Sequence, residues 1–254
     1  MGVSKSVIGD AGRHGAAWYL WPNILSVDAP LVAVCWQVLL ARSLGVSDSV
    51  PVTVALGAAV WCIYVLDRLF DGPAEGTARH RFHWDHRISL LVAVAAAAMA
   101  TVAFAIPKLP PPVLGRGFGL ALVCGVYLWA AQRFCSEKEW KSCAIAVVFA
   151  SGVGLPFSGG GAIWAIGAMT AVVWVNSRLI GLWEAGFTEV AWIRVGIFVV
   201  GAVLMAVGGR FYAALGLSFW WMLVLDAGAG WRGARAARPF VDLGLALIAI
   251  VCLR

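Results

Sequence analysis

Charge is the first thing this chain is short of: 13% of its 254 residues are charged, 62% are hydrophobic, and the mean hydropathy is +0.88. Soluble domains carry about 25% charged residues. Leu, Val and Ala runs recur along the whole length, which excludes a soluble domain with a single anchor. No polar linker divides the chain, so residues 1–254 read as one integral membrane domain, with 1–27 as a lead-in and 28–254 as the bundle. Histidine is scarce: four residues, none after His86, which excludes a serine–histidine arrangement with a late histidine and a membrane di-iron hydroxylase. There is no Gly-Lys-Ser/Thr phosphate loop. The spacing after Asp71-Gly72 fits no CDP-alcohol phosphotransferase signature. The six cysteines (35, 62, 124, 135, 143, 252) form no CxxC pair and lie mostly in apolar runs, as reduced packing residues do. Residues 1–17 are Gly-rich and polar, without the apolar core of a secretory signal. Met1 to Ser6 fits a myristoylation pattern, a short motif that a polytopic protein does not need.

What the chain has is spans. A bilayer crossing takes about 20 mostly apolar residues. Segments of that kind fall near 28–46, 50–70, 87–107, 112–133, 141–157, 161–182, 190–208, 211–227 and 238–253, preceded by an aromatic interfacial stretch over 16–27. The expected fold is therefore all-α, a membrane bundle of about nine helices; no strand-type alternation persists long enough for a barrel. Pro51, Pro107, Pro110 to Pro112, Pro156 and Pro239 fall at or near segment ends, where proline is tolerated. With the N-terminus in the cytoplasm, 14 of the 19 Lys and Arg fall on the cytoplasmic side and 5 opposite. That asymmetry predicts N-terminus in and C-terminus out, in a plasma (inner) membrane. The net charge of +6 suits anionic lipid headgroups better than nucleic acid.

Trp61 to Asp71 closes the second segment with two carboxylates. Asp67 and Asp71 are four apart and share a helical face, with Tyr64 one turn earlier on that side. Carboxylates at the tip of a membrane helix are costly unless they face a cavity, an ion or a partner charge. Mg²⁺ prefers oxygen ligands and is usually held by one or two carboxylates plus substrate phosphates, so this pair is a candidate platform for a divalent cation and a phosphorylated lipid. The plainer alternative has Asp67 paired with an arginine and Asp71 capping the following loop. Asn176, Ile180 and Glu184 repeat the four-residue step at the end of the sixth segment, either facing the same cavity or ending a solvated helix. Arg133, Lys138 and Lys141 could bind diphosphate oxygens, although positive-inside flanks produce basic clusters anyway. His80, His83 and His86, with Asp85, fit no one-face metal pair; a loop helix lining the mouth of the site is the expectation.

In these features the chain resembles the UbiA-type intramembrane prenyltransferase superfamily. The likeness covers most of its length: nine helices, an Asp-rich end to the second, a basic segment after the fourth and a polar motif ending the sixth. That family's first motif reads Asn-Asp-x-x-Asp-x-x-x-Asp. Asp67 and Asp71 align with its last two acids, while Ile63 and Tyr64 stand where Asn and Asp are expected. In the second motif Asn176 and Glu184 take outer positions and Ile180 replaces a central acid. The resemblance implies Mg²⁺-dependent transfer of an isoprenyl group from a polyprenyl diphosphate to a lipid-soluble acceptor. It implies metal-holding and catalytic roles for Asp67, Asp71 and Glu184, and substrate binding by Tyr64, Arg68, Lys138, Lys141, Asn176 and Arg178. The alternative on the same scaffold is a non-catalytic protein that binds isoprenoid lipid or organises partners. A small transporter fits less well, because the polar groups gather at one face and not on paired broken helices at midplane. Acceptor, prenyl length and oligomeric state are left open.

Overall fold

A computed structural model describes residues 21–71, 78–134, 138–232 and 238–254. Every regular element among them is helical. A four-residue turn, α1 (Trp21–Ile24), leads into α2 (Asp28–Ser43) and α3 (Val50–Asp71). The short α4 (Ala78–Asp85) follows, then α5 (Arg87–Ala100), which runs on through a wide turn (Thr101–Ala105) and a tight one (Ile106–Lys108). The remainder is α6 (Pro111–Phe134), α7 (Lys138–Gly154), α8 (Gly160–Ala185), α9 (Ala191–Val207), α10 (Arg210–Arg232) and α11 (Arg238–Cys252). Each apolar segment expected from the sequence is helical. Five stretches are long and apolar enough to cross a membrane: Val50–Phe70, Arg87–Lys108, Pro111–Ala130, Gly160–Trp183 and Arg210–Ala229. Trp140–Gly154, Ala191–Val207 and Phe240–Cys252 are apolar but shorter. This is the make-up of an integral membrane protein.

Local chemistry sets the ends. Expected over 141–157, α7 instead starts at Lys138 and stops at Gly154, two residues before Pro156, whose ring cannot continue a helix. Gly186 (φ +85°) closes α8 in the left-handed conformation: its N–H and that of Phe187 reach back to Trp183 and Leu182 carbonyls. The regular winding of α5 is lost from Thr101, whose hydroxyl donates to the Ala97 carbonyl (2.8 Å), in the turns before Pro107.

At the centre runs α2. Ala29, Val32, Ala33, Trp36, Leu39 and Leu40 are all buried in one core. It packs against α3, α7, α10 and α11, and the Trp36 ring meets Phe211 of α10 edge-on at 5.6 Å. In lipid, helices associate through such close packing and through small residues at their contacts. Between α9 and α10 the backbones come so near that a Cβ on Gly216 would stand 2.6 Å from the Gly201 carbonyl oxygen. The outer faces of α5, α6 and α9 expose large apolar side chains such as Val92, Met99, Phe118, Leu122, Trp192 and Val195, as a lipid-facing surface would.

A second, separate knot closes the loop between α8 and α9. Asp226 of α10 is fully buried and accepts from the Trp183 indole (2.8 Å), the Arg194 guanidinium (2.8 Å) and the Glu189 backbone N–H (3.3 Å). The Glu189 carboxylate in turn takes Arg178 Nε at 2.7 Å.

Candidate functional site

One long cavity, about 400 Å³, runs between α2, α3, α6, α7 and α8. Its wall on α3 follows the helical step: Val52, Leu56, Ala59, Ile63 and Asp67 all line it. The fifteen steps from Val52 to Asp67 rise about 22 Å along the helix axis. One end is apolar, with Ile106, Leu109, Val113 and Leu155 in the wall. The other carries Asn23, Asp28, Tyr64, Asp67, Arg68 and, from α8 and α11, Asn176 and Asp242. The cavity is a slot with a greasy length and a polar head, within the usual size of a small-molecule site.

The polar end is assembled from four helices and the turn before α2. Asp28 opens α2, where a carboxylate complements the helix dipole; it accepts from Asn23 Nδ2 at 2.7 Å. Asp67 lies 3.9 Å from Arg68 Nη1, the outer limit of an ion pair, and both are partly buried. Asn176 Nδ2 donates to Asp242 Oδ1 at 3.2 Å, and its own Oδ1 has no partner among the described residues. The charges of Asp242, Arg68, Asp28 and Asp67 all reach the Tyr64 hydroxyl, which stands among them. Among the described lining residues there are three carboxylates to one guanidinium, so this end is net negative.

Of the residues singled out from the sequence, Tyr64, Asp67, Arg68 and Asn176 meet in this cavity. The side chains of Asp71, Lys138 and Glu184 lie outside the described residues. Lys141 is half-buried near the start of α7 and is not part of the lining. Arg178, expected at the substrate, is not part of the lining; it pairs with Glu189 (2.7 Å), with its guanidinium 6.0 Å from the Trp174 ring. Two residues beyond Asn176 on a helix is some 200° round the axis, so the two could not share a face.

The histidine segment forms α4, a helix that packs beside α1, α3 and α5. His83 is fully buried, its Nε2 3.3 Å from Ser26 Oγ. Ser26 itself lines the cavity and holds a left-handed backbone (φ +55°) uncommon for a non-glycine residue. The His80 side chain lies outside the described residues. Among those described, no three of His, Cys, Asp and Glu gather closely enough to hold a metal by themselves.

Sequence reasoning missed Asn23, Asp28, Asp242 and Gln37 as site residues. The signal was there for three of them: Asp28, Asp242 and Gln37 are polar residues set in or beside apolar runs, and such residues in membrane segments usually face a cavity. No protein-family model, curated protein or solved structure matches the chain.

Proposed function

We propose that this cavity holds a polyprenyl diphosphate and that the protein is a UbiA-like, Mg²⁺-dependent prenyltransferase acting on a lipid-soluble acceptor. The observation that carries the reading is the shape and polarity of the cavity: an apolar slot more than twenty ångströms long ending in Asp67, Arg68, Asp28, Asp242 and Asn176. The proposal takes α2, α3 and α5 to α11 as membrane crossings, with the N-terminus in the cytoplasm and the polar end of the slot on that side.

The donor set suits a hard cation. Carboxylates and the unpartnered Asn176 Oδ1 are oxygen ligands. Mg²⁺ needs only one or two protein carboxylates when phosphates supply the rest, so a ready-made protein cage is not required. Asp67 would hold the ion with Asn176, and Asp71 and Glu184 keep the role that the resemblance gives them. Bound there, Mg²⁺ would neutralise charge building on a departing diphosphate. Arg68 would meet the diphosphate oxygens through charge-assisted hydrogen bonds. The apolar walls around Leu56 and Ile63 would exclude water from the allylic centre. Tyr64, surrounded by three acids and a guanidinium, would orient the reacting groups.

Purified protein supplied with radiolabelled prenyl diphosphates and a panel of acceptors should give Mg²⁺-dependent product that Asp67→Ala abolishes. Product that survives this substitution removes the polar end from the mechanism. A second reading, binding without turnover, is favoured by one observation: Asp28 and Asp242 are already bonded to Asn23 and Asn176. It predicts isoprenoid lipid co-purifying with the protein and no product with any acceptor, which native mass spectrometry and the same assay distinguish.

A further inference from the structure

The acids of the polar end are not equally supplied with positive charge. Arg68 is the one cation among the described lining residues, and it stands beside Asp67 on α3. Among the described residues Asp28 meets only neutral donors, Asn23 Nδ2 at 2.7 Å and the Ala29 backbone N–H at 3.0 Å. The dipole at the start of α2 contributes about half a unit of positive charge there, which leaves the rest of the carboxylate's charge unbalanced. Asp242, on α11, adds a second carboxylate, bonded to the Asn176 amide at 3.2 Å. Both acids are partly exposed and both line the cavity. Neutral donors orient a carboxylate without cancelling its charge, and a charge within a membrane helix calls for an opposite one. A prenyl diphosphate carrying one Mg²⁺ is itself anionic, so its arrival does not supply it.

Tyr64 marks the place for that charge. The residue is enclosed by protein, yet it keeps accessible surface and lines the slot, so that surface is the cavity's. Its hydroxyl has no hydrogen-bond partner among the described residues and is not sealed from a water-sized group. Of the charges around it, that of Asp242 acts on it most strongly, ahead of Arg68, Asp28 and Asp67. We propose that the Tyr64 oxygen, Asp28 and Asp242 take the protonated amine of a single-chain cationic amphiphile, whose tail lies along Leu56, Ile63 and Val113. An ammonium group brings three donors and a full positive charge, and its hydrogen bonds to carboxylates are charge-assisted. A neutral alcohol brings one donor and no charge. Among the described residues the acids do not gather closely enough to hold a metal by themselves, and an ammonium group needs no such ring. Asp67 and Arg68 are left to the diphosphate, so this inference goes beyond the prenyl-donor reading and does not depend on it.

The probes are radiolabelled dodecylamine and its neutral counterpart dodecanol. Each is titrated against the full-length protein in dodecyl maltoside with EDTA and no diphosphate, and binding to protein-free micelles is subtracted. The amine binds saturably, and about tenfold to a hundredfold tighter than dodecanol, as hydrogen bonds to charged groups predict. Asp28→Asn and Asp242→Asn each lower amine affinity by about tenfold and leave dodecanol unchanged, and Tyr64→Phe lowers it by about fivefold. The parental preference is read without any variant, so it remains a test where a substitution prevents folding. Equal binding of the two probes, or an amine preference that survives all three substitutions, overturns the proposal. So does displacement of the amine by equimolar phosphatidylethanolamine, which assigns the site to a bilayer lipid's headgroup. Prenyl diphosphate titrated with Mg²⁺ in the same detergent tests the donor reading separately. Diphosphate binding without an amine preference keeps that reading and removes this one; an amine preference without diphosphate binding does the opposite.

Discussion

Two sets of acids sit near helix ends in this molecule, one fully buried and one partly so, and they are built differently. Around Asp226 every acceptor is met: an indole, a backbone N–H and a guanidinium converge on a carboxylate with no exposure. Around Asp67, Asp28 and Asp242 the acids border open space, and the Oδ1 of Asn176 beside them has no partner among the described residues. The residue types are the same. Closure makes the first a clamp that ties α10 to the loop after α8; the second set lines a cavity instead.

That contrast breaks most easily at Asp226. Removing one partner of a buried ion pair leaves the other charge stranded, at about 3–5 kcal/mol; with Arg194 a third exposed, the lower end applies. Asp226→Ala should therefore lower the thermal unfolding midpoint in detergent sharply, and an unchanged midpoint would mean that the clamp stabilises nothing. Asp67→Asn should do the reverse: asparagine keeps the shape and one acceptor oxygen, and the pair with Arg68 is long at 3.9 Å, so the midpoint moves less than in Asp226→Ala while Mg²⁺-dependent product formation falls by more than a hundredfold. Filling the slot comes next. Leu56→Trp should cost about 1–3 kcal/mol by overpacking and shorten the longest prenyl chain accepted, seen as selective loss of activity with long donors. The smallest effect is Tyr64→Phe, which removes one hydroxyl and should slow turnover by about threefold to tenfold with the midpoint unchanged.

The helices were legible because the apolar runs are long and the punctuation strong. Gly186, Pro107 and Pro156 mark ends or breaks through backbone geometry that any reading of the sequence detects. Half of the polar end was legible for the same reason: Asp67 and Asn176 are conspicuous at the tips of apolar helices. Asp28 escaped because it has no polar neighbour at helical spacing, and Asp242 because its one such neighbour, Arg238, reads as a basic flank; both reach the cavity wall only when α2 and α11 pack side by side. Asp226 and Asp242 are alike in sequence, each a lone acid at the edge of an apolar stretch, and only the tertiary partners make one a clamp and the other a cavity wall.

Equilibrium binding of a radiolabelled prenyl diphosphate in nanodiscs, with and without Mg²⁺, tests the central claim most directly when run on the parent protein beside Asp67→Asn and Leu56→Trp. Saturable binding that needs Mg²⁺, is lost in Asp67→Asn and is confined to short chains in Leu56→Trp is the expected result. Binding that ignores Mg²⁺ and both substitutions would show that the diphosphate and its tail lie elsewhere.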